Sequence, residues 1–253
     1  MKLRTMCALC ASSVLAVAAI AAQGASAQTA FECASTASGA TFNDAHCKET
    51  KAGGAGFQHV SIAENKPFST SVTNTTTGTA TSPLKLKTVI SSTTLELEAA
   101  MVSGSFSLEN KSAGMEMWTE GKGKLTLEKV IVSQPAANGC TVSGSGGTEG
   151  LLPSTEAFLT NRGRTNEWEL TEVPGAKNDT LFEYRVENCK IAALNGGYLA
   201  TGNIRVKTHG TTLDFVHEEG TNQKTLKVNK QNAGFSGELT LKVAGTGNGI
   251  ALT

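Results

Sequence analysis

The chain has little of what usually announces a function. Among 253 residues there are five prolines and three aspartates (Asp44, Asp179 and Asp214), aromatic side chains make up 5%, and 22 Lys and Arg face 22 Asp and Glu. Balanced charge excludes the broad basic footprint that nucleic acid or an anionic membrane requires. Three scattered aspartates exclude calcium loops built from Asp repeats. Scarce proline excludes Pro-rich linkers. No Gly-x-Ser-x-Gly elbow occurs, the 217–220 stretch HEEG is not a zinc-protease HExxH, and the Gly/Ser run at 144–150 is neither a phosphate loop nor followed by a helical pattern. No metal or cofactor is therefore expected, and no catalytic residue is assigned.

What is present points to export. Lys2 and Arg4 precede an apolar, Ala-rich run over 6–22, and Ala25-Ser26-Ala27 offers the small residues that a signal peptidase accepts, so cleavage is expected before Gln28. Removal of 1–27 leaves 226 residues with 20 basic and 22 acidic side chains. Cys7 and Cys10 leave with the signal. Cys33, Cys47, Cys140 and Cys189 remain, an even number for an oxidising compartment, and two disulfides are expected. Of three possible pairings, locality and loop-closure entropy favour Cys33 with Cys47 and Cys140 with Cys189. Zinc is the weaker alternative, because no Cys lies within two to four residues of another. The expected location is extracellular or periplasmic, without membrane insertion: the aromatic girdles and lipid-facing apolar positions of an outer-membrane barrel are missing.

From Phe57 onward the apolar residues alternate with period two. Leu84, Leu86 and Ile90 oppose Lys85 and Lys87, and Phe182, Tyr184 and Val186 oppose charged neighbours. Roughly a fifth of the chain is Ser or Thr, which suits strands and turns. The fold class is all-β, an antiparallel sandwich or barrel, with the sandwich preferred. One short helix is expected from Ser154, where a cap residue follows Pro153. A β-bulge is expected at Glu128 and Lys129, where the apolar parity changes from Leu125 and Leu127 to Val130 and Val132. The motif GKLTLEKV at 123–130 resembles GELTLKV at 237–243, and TTLELE at 93–98 parallels TTLDFV at 211–216. With a linker-like stretch at 134–139, this suggests two tandem disulfide-stapled sandwiches, 28–135 and 136–253, against the alternative of one larger β-domain.

Candidate site residues are few. Trp118 shares a strand face with Glu116 and Glu120, while Met115 and Met117 take the other. If the methionines enter the core, the Trp is exposed and available to a glycan or protein partner; otherwise it packs beneath a neighbouring loop. Glu167 and Glu169 share a face at a spacing a glycosidase could use, but charged alternate positions are how this chain writes its solvent face, and Trp168 beside them reads as core. Asn74, Asn110 and Asn178 lie in glycosylation sequons, uninformative behind a bacterial-looking signal. The segments FEC at 31–33, DAHC at 44–47, GFQHV at 56–60, GCTV at 139–142 and LNGGYLATGN at 194–203, behind an Ala-rich signal, resemble secreted β-rich bacterial proteins to which no activity is attached. The resemblance implies export and β-structure and carries no site with it.

Overall fold

The computed structural model describes residues 28–51, 53–74, 76–77, 80–136, 138–173, 180–215 and 225–252. The expected signal peptide, the Asn178 sequon, Asp179 and the 217–220 stretch lie outside them. The described strands are β1 (Ala30–Thr36), β2 (Gly56–Ser61), β3 (Phe68–Asn74), β4 (Thr76–Thr77), β5 (Ala80–Thr81), β6 (Leu84–Ile90), β7 (Thr93–Ala113), β8 (Glu116–Gln134), β9 (Thr141–Gly144) and β10 (Leu151–Pro153). They continue as β11 (Ala157–Thr160), β12 (Glu167–Glu172), β13 (Phe182–Glu187), β14 (Gly196–Thr201), β15 (Ile204–His209), β16 (Thr212–Phe215), β17 (Lys227–Val228), β18 (Gln231–Val243) and β19 (Gly249–Leu252). The alternation read from the sequence is the cause. On β13, Phe182, Tyr184 and Val186 are buried while Glu183, Arg185 and Glu187 are exposed; a strand with one wet face has no other way to place them.

The helix expected from Ser154 does not form: Ser154 makes an isolated bridge to Phe182, and a strand, β11, begins at Ala157. Ser154 does not cap a turn: its backbone N–H donates to Leu125 O, and its hydroxyl accepts the Leu125 N–H. Ala157 and Leu159 then alternate inward on β11. Among the described residues the one helical turn is the 3-10 segment Ala192–Leu194.

All but β4 and β5 belong to one 17-stranded sheet. It closes on itself twice. In the first circuit β3 pairs with β7, β7 with β8, then β11, β12, β15, β16 and β18 follow in turn, and β18 returns to β3. In the second, β6 pairs with β7, β7 with β8 and β8 with β10; Gly150 N–H donates to Val142 O beside β9; and β13, β14, β17 and β18 lead back to β6. The two circuits share β7, β8 and β18. Among the described residues every ladder between named strands is antiparallel, with one isolated parallel bridge between Glu64 and Asn110, so the all-β expectation holds, but two separate sandwiches are not evident. Strands on either side of the 135/136 boundary pair directly (β18 with β3 and β6, β8 with β10 and β11, β1 with β19), and a single apolar core runs through both circuits.

The shared strands explain the parity change at Glu128 and Lys129. Leu125 and Leu127 face the first circuit and Val130 the second, with Lys129 at φ 52° between them. β7 changes face at the same level, from Leu95, Leu97 and Ala99 to Val102, Phe106 and Leu108. Because both strands turn together, no extra residue is needed: Ala99 still opposes Val130 and Met101 opposes Glu128. The expected bulge is thus a paired twist, and the register shift lies nearer the root, between Glu96 and Leu97. On β18 the crossing falls at Gly237, φ 124°, where a Cβ would sit 2.5 Å from Pro83 O. Gly123, its counterpart in the repeated motif, leaves only 2.1 Å between such a Cβ and Ser105 O. Both motif copies therefore begin where a side chain has no room.

The interior of the first circuit is filled. Each strand contributes an apolar side chain, from Val72 on β3 through Phe106 and Leu170 to Leu241 on β18, around a residual void of about 10 Å³, at the lower limit for one water molecule. This is what eight strands enclose when side chains take the space. At the hairpin tip the circuit is plugged by polar groups instead. Asn110, buried, donates to Ala30 O and Ile62 O, and its carbonyl oxygen accepts from Ala30 N–H and the Thr119 hydroxyl. Asn161 accepts the Thr119 N–H and donates to Gln28 O. Gln28 and Asn166 complete the plug through two further hydrogen bonds of 2.6 and 2.8 Å.

The disulfides pair as expected. Cys33–Cys47 ties β1 to the following loop, and Cys140–Cys189 joins the start of β9 to the end of β13 across a sequence separation of 49.

Candidate functional site

The tip of the β7–β8 hairpin is where the sequence placed its one working residue. Trp118 lies on the outer face, opposite Lys111 and between Glu116 and Glu120, as the alternation required. It is only 7% exposed: of the two outcomes open to it, an exposed platform or a ring packed beneath a neighbouring loop, the second is found. Arg162, in the loop after β11, lays its guanidinium over the indole, 4.3 Å from the ring centroid, and reaches Glu116 at 3.6 Å. Lys111 flanks the ring while bound to Glu120 at 2.8 Å and near Glu109 at 3.9 Å; the Glu120 contact holds its ammonium pKa above the usual lysine value. The methionines go the other way. Met115 is 97% and Met117 37% exposed, because the hairpin outruns the circuit and the Asn110–Thr119–Asn161 plug leaves them no core to enter.

The roof over Trp118 is weakly held. An exposed cation–π contact contributes about 0.5–1 kcal/mol, and a half-exposed ion pair little more. Beneath it the indole N–H is buried without an acceptor, a deficit that costs about 1–3 kcal/mol.

Glu167 and Glu169 share a face of β12 but not an environment. Glu169 is pinned on both oxygens, by an ion pair with Arg164 and a hydrogen bond from Asn203, and Glu167 stands opposite Lys207 in the strand register. Trp168 between them is core, as expected. The Asn110 sequon is spent on the plug, and the Asn74 amide donates to Ser82 O while accepting the Val102 N–H. Among the described residues no group of three or more His, Cys, Asp or Glu could hold a metal ion. His46 is engaged by Thr211 at 2.8 Å. His59 is packed between Phe31 and Phe42 with one ring nitrogen unpartnered, and burial lowers its pKa. Asp44 is partly desolvated, which raises its pKa, but N–H bonds from Glu49, His46 and Lys48 outweigh that and bring it below the usual carboxylate value.

An outward groove of about 480 Å³, which the sequence reading did not anticipate, runs across β9, β13 and β14. Ser143, Arg185 and Gly197 form one cross-strand row. A Cβ at Gly197 would meet nothing within 4 Å, so the missing side chain is what opens the row. Glu183 and Leu199 lie alongside. Below, Tyr184 and Tyr198 stack at 5.2 Å. Burial, with Tyr198 adding to it, pushes the Tyr184 phenol far up, and its hydroxyl has no partner. The Gly196-Gly197 pair reads as a turn in sequence; its position inside an alternating run with Tyr198 and Ala200 was the available signal.

Comparison with protein-family models, with curated proteins and with solved structures finds no match to this chain.

Proposed function

We propose that this chain is an exported, non-enzymatic β-protein with a structural or interaction role in the cell envelope or the extracellular space. The observation that carries the reading is the pair of disulfides, Cys33–Cys47 and Cys140–Cys189, in a chain whose first 27 residues have the order of a cleavable signal. Such bridges persist in oxidising compartments and are rare elsewhere. The filled interior of the first circuit and the pinning of Glu169 support a role carried by surfaces. The partner is a protein or a glycan. A second reading, a small-ligand or carbohydrate-binding module, is favoured by the groove opened at Gly197.

Expression of the full chain in a bacterium, followed by fractionation and N-terminal sequencing, tests export. The expected product is an extracytoplasmic chain beginning at Gln28, with both bridges linked in a non-reducing peptide map. An uncleaved chain with free thiols in the cytosol overturns the reading.

A further inference from the structure

The Trp118 surface has an occupant, and the occupant describes a ligand. We propose that the outer face of the hairpin tip is a binding site for a cationic side chain, the guanidinium or ammonium group of a partner polypeptide, and that Arg162 is its resident stand-in. The proposal gives the interaction role above a specific contact surface and rests on that role, though not on the compartment.

The site has an aromatic floor, carboxylate walls and a removable lid. Trp118 is the floor, with a cation already centred 4.3 Å above it. Glu109, Glu116 and Glu120 lie on the same face against two cations. Lys111 is committed to Glu120 and Glu109, so displacement of Arg162 leaves Glu116 and the ring face to an incoming cation. The pairing of ring and carboxylate is what ammonium and guanidinium recognition uses. The lid can leave without disturbing the fold. Its Nη2 meets Glu116 at 3.6 Å, and the two side chains are 55% and 64% exposed. Its backbone is fixed independently, by the Arg162 N–H to the Thr160 hydroxyl and the Arg164 N–H to Asn161 O. The second observation is the buried indole N–H without an acceptor. A partner's backbone carbonyl would complete a group that the Arg162 guanidinium, which has donors only, cannot satisfy.

The probe is an arginine tripeptide amide, titrated against the purified disulfide-bonded protein while Trp emission is read, with the isosteric but uncharged citrulline tripeptide as control. Trp168, 1% exposed in the core, gives a constant background. Arg162→Ala should red-shift the Trp118 emission and bind the arginine peptide at least tenfold more tightly than wild type, citrulline should give no response, and Trp118→Phe should be silent in both backgrounds. Arg162→Gln keeps part of the covering stem without the charge and should bind the arginine peptide more tightly than wild type, as Arg162→Ala does, with a smaller shift of emission. Equal responses to arginine and citrulline overturn the proposal, as does a folded Arg162→Ala and a folded Arg162→Gln that both ignore the peptide. Cytosolic retention in the fractionation experiment would remove the export reading and leave this result standing.

Discussion

The two ends of the β7–β8 hairpin are built from the same two strands and closed by opposite chemistry. At the root, Leu95, Leu97, Ala99 and Val130 fill the second circuit with hydrocarbon. At the tip, Asn110, Thr119 and Asn161 close the first circuit with hydrogen bonds. An apolar end tolerates a change of shape at the cost of a cavity, whereas a polar plug tolerates little, because each lost partner strands another buried group. The root is a volume and the tip is a wiring pattern.

The contrast can be broken most severely by separating the strands that both ends need. Residues 28–135 and 136–253 produced as separate fragments should each lack cooperative thermal unfolding by circular dichroism, since β18 closes both circuits on strands of the first half. A fragment that folds alone would restore the two-module organisation. At single residues, Asn110→Ala is expected to destabilise by about 4 kcal/mol, because the Thr119 hydroxyl loses its acceptor and the Ala30 and Ile62 carbonyls lose their amide donor, while the Ala30 N–H keeps the Thr119 oxygen, and Leu97→Ala by about 3 kcal/mol through its cavity, both read by urea denaturation. An Asn110→Ala cost under about 1 kcal/mol would mean that the plug is not what closes the tip.

The smallest effect concerns a polar atom at the apolar end. Tyr184→Phe removes an unpartnered hydroxyl and should change stability by less than about 1 kcal/mol at neutral pH, with either sign. The raised phenol pKa adds a pH signature. The hydroxyl stays protonated in the folded chain while the unfolded one ionises near 10.0, so wild type should lose stability as pH rises above 10. The variant should lose less there; identical alkaline profiles would show that the phenol does not differ between the two states.

Much of this was legible in the sequence, and what was missed has a common cause. The disulfide pairing, the strand faces, the buried Trp168 and the level of the parity change at Glu128 and Lys129 all follow from local spacing. The closure into two circuits does not, because it depends on pairings such as β3 with β18 between residues far apart in the chain. Trp118 was placed on the correct face with its exposure left open, since the residue that roofs it lies 44 positions away. Ser154 carried a helix-cap signature, but the neighbouring strand claimed both its hydroxyl and its backbone N–H. Asn110 looked like a modification sequon because sequence cannot tell a wet asparagine from a buried one whose amide makes four hydrogen bonds within the protein.

The dependence of both circuits on β18 also sets an order of assembly. Synthesis delivers the β7–β8 hairpin long before Gln231–Val243 exists, so for most of its emergence the chain owns its longest hairpin and neither closed ring. Contacts of such long sequence separation form slowly, after the entropy of closing large loops has been met. The last strands work as a clasp, fastened only when almost all of the chain has arrived.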